Sequence, residues 1–71
     1  MDNKEYILSK YTIMKNWRHP LDGSSYSKQK RIIAMTYILT DDFRYNNFSN
    51  EDKLLANKCI EMILNEQDND N

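Results

Sequence analysis

The sequence predicts an all-α fold, a small three-helix bundle with helices at about 3–17, 26–40 and 50–66. Three observations carry that prediction. Apolar residues recur at helical spacing in the first and last thirds of the chain. The only Pro and the only Gly, Pro20 and Gly23, fall together between the first two segments. The longest apolar run, residues 32–39, follows Lys28-Gln29-Lys30-Arg31, so a basic, helix-forming start leads into a segment that reads as the buried central helix.

In the first helix Ile7, Tyr11 and Met14 share one face, with Tyr6, Ile13 and Trp17 on its flank. Asp2 or Asn3 can cap its start, where Glu5 also suits the helix dipole. Pro20 disfavours helix at His19, and Asp22-Gly23 is a strong turn pair. Residues 16–25 therefore form the connector, which could tuck Leu21 and Trp17 against the core. Ser24, Ser25 or Ser27 can cap the second helix.

Residues 32–39 are rich enough in β-branched and aromatic side chains to suit a strand as well. Helix is preferred, because the run continues from good helix formers and residues 11–14 are the one candidate partner strand. As a helix this half would be apolar nearly all round, and so buried, leaving Lys28, Lys30 and Arg31 at the surface. Ser49-Asn50-Glu51-Asp52 resembles a capping box, with Phe48 just before the cap. The third helix then lays Leu55, Ala56, Cys59, Ile60, Met62 and Ile63 along one stripe. Residues 1–66 form one domain, and 67–71, polar and acidic, a disordered tail.

A chain of 71 residues buries only ~60% of its unfolded surface, which leaves little room for a deep substrate cavity. That favours binding over catalysis. Zinc would need about four ligands, and the chain has one His and one Cys, so no metal and no cofactor is expected. Cys59 lies on an apolar stripe where a small buried hydrophobe is the ordinary role, and no third group suggests itself to orient a pairing of His19 with it. One Gly excludes a Gly-rich phosphate loop. No catalytic residue is assigned, and the chain is read as not an enzyme. A single thiol, no apolar leader and no run approaching the ~18 residues of a membrane span suggest the cytoplasm and no membrane partner.

The net charge of −1 hides an asymmetry. Residues 1–31 carry seven cations against three acids, a net +4, while residues 32–71 carry three against eight, a net −5. Five Tyr, two Phe and one Trp exceed what a small helical core absorbs, and several flank Arg in or beside loops. Tyr, Trp and Arg are the side chains enriched at binding hot spots. Trp17, Arg18, Tyr26, Phe43, Arg44 and Tyr45 are accordingly the candidate protein-binding residues.

The function expected is a small non-catalytic regulator or inhibitor that docks on a protein, with homodimerisation a further use of the same face. Asn, Lys, Ile and Tyr, which have A/T-rich codons, are abundant, which suits an A/T-rich genome such as that of a Firmicute, a phage or a large virus, and a phage or mobile-element origin is expected. The acidic half, with Asp41, Asp42, Glu51 and Asp52, could occupy the basic surface of a nucleic-acid-handling partner. The alternative is a small DNA-binding transcriptional regulator that uses Lys28, Lys30 and Arg31 on the nucleic acid. Against it stand the acidic total and a connector longer than the usual helix-turn-helix turn of about 3–4 residues. A subunit or assembly factor of a larger enzyme is the third reading.

Overall fold

The computed structural model describes residues 2–42 and 47–67, with the side chains of Asp41 and Asp42 excepted. The helices are α1, Asn3–Asn16, α2, Lys28–Tyr37, and α3, Asn50–Leu64, and no strand occurs among the described residues. The all-α class expected from the spacing is therefore the fold observed, and residues 32–39 are helical. Local chemistry sets each start. The Asp2 carboxylate accepts the Glu5 N–H at 2.8 Å, and the Ser27 hydroxyl accepts the Lys30 N–H at 3.1 Å. Ser49 and Asp52 form a full capping box, with bonds of 3.1 and 2.9 Å.

α2 begins at Lys28, two residues later than the expected 26, because Ser27 takes the extended conformation of an N-cap. Its α-helical part stops at Tyr37 and passes into a π-helical turn, Ile38–Asp42. Around that change the Thr36 hydroxyl donates back to Ile32 O at 2.8 Å and the Thr40 hydroxyl to Thr36 O at 3.3 Å. Such back-bonding bends helices.

The core consists of Ile7 from α1, Met35 from α2, Ile38 from the π turn, Phe48 before α3, and Ala56, Cys59 and Ile63 from α3. Phe48 is the residue ahead of the capping box, and its ring lies 6.5 Å from that of Tyr6, closing one end of the core. The expectation that α2 is buried nearly all round is corrected. Ile33 is 50% and Tyr37 55% exposed, and only the Arg31, Met35 and Ile38 side of this segment is fully covered. Two neighbouring helices cannot wrap a third, so its outward flank stays in solvent. Ile13 on α1 and Met62 on α3 are exposed for the same reason.

Polar ties fix the directions. Asn3 Nδ2 and Lys4 Nζ at the start of α1 donate to the Asp52 carboxylate at the start of α3, at 3.2 and 3.3 Å. Arg31 at the start of α2 pairs with Glu66 just past the end of α3. α1 and α3 thus begin at one end of the bundle, and α2 begins at the other, beside the last turn of α1.

Candidate functional site: a cationic cleft beside stacked aromatics

The connector between α1 and α2 is ordered by its own short-range bonds. Gly23 has φ +74°, a left-handed conformation that suits glycine. Its N–H donates to His19 O at 2.9 Å, and the His19 N–H donates to Ser24 O at 2.7 Å. The Asp22 carboxylate accepts the Ser24 N–H at 2.9 Å, and that bond holds its carboxyl below the usual range. The turn expected at Asp22-Gly23 is present. Leu21 does not tuck inward; it is 90% exposed at the tip.

Closing this turn brings the two ends of the connector together. The Trp17 and Tyr26 rings stack at 4.4 Å with an interplanar angle of 21°. His19 meets Trp17 edge-on at 5.9 Å, and Lys30 Nζ lies over the Tyr26 ring at 5.9 Å. Trp17 and Tyr26 remain half-buried. Arg18 is held beside them, its Nη1 donating to Trp17 O at 2.8 Å and Lys15 O at 3.2 Å. A cation at these last carbonyls of α1 is favourably placed for the helix dipole.

Next to the stack opens a cleft of about 800 Å³ between the end of α1, the start of α2 and the residues after α3. Lys15, Arg18, Lys28 and Arg31 line it, with Glu66 as its one carboxylate. Arg31 and Glu66 form a two-pronged pair, Nη1 to Oε2 and Nη2 to Oε1, both at 2.7 Å. Arg31 Nε also donates to Tyr26 O at 3.3 Å. Lys28 Nζ donates to the main-chain oxygen of Glu66 at 2.9 Å. The Arg31 guanidinium, helped by Lys15 and Lys28, holds the Glu66 carboxyl below the ordinary range, and Glu66 in turn raises Arg31.

Of the expected protein-binding residues, Trp17, Arg18 and Tyr26 come together here, while Phe43, Arg44 and Tyr45 lie outside the described residues. The expected nucleic-acid set is divided. Arg31 was expected at the surface, but it is 9% exposed and committed to Glu66. Lys28 is half-buried against the end of α3, and Lys30 alone of the three is exposed. Asp52, read as part of an acidic docking face, is also reassigned: it is 5% exposed and occupied by the capping box and by Asn3 and Lys4. The cleft adds Lys15 and Glu66. The position of Lys15 in the last turn of α1, one residue before the connector, was a usable sign; the pairing of Glu66 was not.

Cys59 is buried, and burial pushes its thiol up, away from the reactive thiolate. Among the described residues no cluster of three metal-ligating side chains occurs, and no helix is long and apolar enough to cross a membrane. No protein-family model, no curated protein and no solved structure matches the chain.

Proposed function

We propose that this chain is a non-catalytic protein-binding module, a small regulator or inhibitor that docks through the Trp17/Tyr26 stack and the cations around it. The observation that carries the reading is the stack itself. Two large aromatic rings, 4.4 Å apart, are fixed by a closed turn and only half-buried, with Arg18 and Lys30 beside them. Rigid aromatics beside Arg lose little entropy on binding and are the usual anchors of protein interfaces. The DNA-binding reading is weaker because Arg31 is consumed by Glu66. A recognition helix needs such side chains free for phosphates and base edges.

The test is partner capture from the native host, with the intact chain as bait beside a Trp17→Ala/Tyr26→Ala variant whose helicity has been checked. A partner that co-purifies with the wild type should lose affinity about tenfold or more in the variant, a loss in the range of hot-spot truncations. Equal capture by both proteins would overturn the reading. A salt-dependent anisotropy shift with labelled duplex DNA, abolished by Lys28→Gln/Lys30→Gln, would replace it with the DNA-binding one.

A further inference from the structure

We infer that the cleft next to the aromatic stack receives an acidic peptide segment of the partner, whose Asp or Glu side chains meet Lys15 and Arg18. The inference rests on the protein-docking reading and names the chemistry of what is docked. Four cations line the cleft against one carboxylate, in a protein whose net charge is −1. The excess is therefore local.

The resident carboxylate shows which chemistry the cleft accepts. Glu66 meets the Arg31 guanidinium through two bonds of 2.7 Å, the planar geometry that selects carboxylates. That pair leaves Lys15 and Arg18 over. The Lys15 ammonium lies over the Tyr11 ring at 5.9 Å, and Arg18 Nη1 is directed at two main-chain carbonyls. Neither is in an ion pair among the described residues. Both line the same space as Glu66, and an incoming carboxylate would meet them without displacing the Arg31 pair.

Ser25, Ser27 and Gln29 supply neutral hydrogen-bonding groups suited to a peptide backbone. A nucleic-acid strand fits less well. Its closely spaced phosphates would run past the Glu66 carboxylate, whereas a peptide can place an uncharged residue there.

Trp17 is the only tryptophan, so its fluorescence reports on the cleft edge. The intact chain is titrated with a short Asp/Glu-rich peptide, with its Asn/Gln counterpart and with a single-stranded oligonucleotide. The acidic peptide should give a saturable change that weakens with salt, since screening is strong beyond a Debye length of ~8 Å at 0.15 M. Lys15→Glu combined with Arg18→Gln should weaken it about tenfold or more, and Arg18→Lys alone should keep most of the affinity.

Circular dichroism of each variant guards against loss of fold. No saturable change, equal affinity in the double variant, or tighter binding of the oligonucleotide overturns the inference. If a captured partner depends on Trp17 and Tyr26 while the acidic peptide fails, this inference falls and the docking reading stands. If capture ignores the two aromatics, the docking reading itself falls.

Discussion

α3 has a carboxylate near each end, and each ties the helix to a different neighbour. At the start, Asp52 accepts the Ser49 N–H within the capping box and side-chain donors from Asn3 and Lys4 of α1. Lys4 also pairs with Glu51 at 3.4 Å. One cation, Lys4, serves both carboxylates there, and Asp52 is 5% exposed. At the other end Glu66 ties α3 to Arg31 and Lys28 of α2, and it stands alone against four cations in an open cleft. One end is closed on itself. The other holds four cations against one carboxylate, and like charges brought together oppose folding. Surplus of this kind is understandable if something outside the chain meets it.

The largest effect expected from breaking either tie belongs to Arg31. The side chain is nearly buried, makes a two-pronged bond and also holds Tyr26 O. Arg31→Ala leaves Glu66 without its partner beneath the cleft, at a cost of about 2–4 kcal/mol by chemical denaturation. Adding Glu66→Gln should then cost less than it does alone, because the two residues act as one unit. Additive costs would show that the pair is not coupled, and the contrast between the ends would lose its basis.

Acid titrates both ends. The Ser49 N–H, with Asn3, the Ser49 hydroxyl and Lys4, brings the Asp52 carboxyl down to about 2. Arg31 brings Glu66 down as well. Both folded-state values lie below those of the unfolded chain, ~3.9 for Asp and ~4.3 for Glu. The unfolded state therefore binds protons first as pH falls. The stabilisation is complete above the unfolded values and is lost as pH drops through the folded ones. Thermal melts should be flat with respect to these groups near neutrality and fall below about pH 4. Glu66→Gln should make that fall shallower and leave the Asp52 part in place. An unchanged acid limb would mean that Glu66 is not held as the geometry implies.

The two ends also differ in how far the sequence revealed them. Ser49 and Asp52 stand three residues apart, so the capping box could be read from local spacing and was found. The three helices and the Asp22-Gly23 turn were legible for the same reason. Arg31 and Glu66 are 35 residues apart, and nothing local distinguishes an Arg that will be buried from one that will face water. A cation preceding an apolar run looked like surface, yet position 31 lies on the same face as Met35 and Ile38. Trp17, Arg18 and Tyr26 were identified by residue type, but their meeting depends on a turn that closes the connector. The apolar run of α2 misled in the other direction. Composition could not say that Ile33 and Tyr37 would be left outside.

The smallest expected effect separates a folding role from a binding role most sharply. Lys15 lines the cleft, is exposed and is in no ion pair among the described residues. If the cationic end existed to hold the bundle together, Lys15→Gln would destabilise it. If the charge is surplus, the substitution should leave stability within about 0.5 kcal/mol of wild type, as for an ordinary surface site. No resolvable change is the favoured outcome, because removing Lys15 relieves its repulsion with Lys28, Arg18 and Arg31 but also forfeits its attraction to Glu66. The measurement is a urea melt at low salt, where that repulsion is least screened. A loss of about 1 kcal/mol or more would make Lys15 part of the folding machinery. The two ends of α3 would then differ in sign of charge but not in purpose.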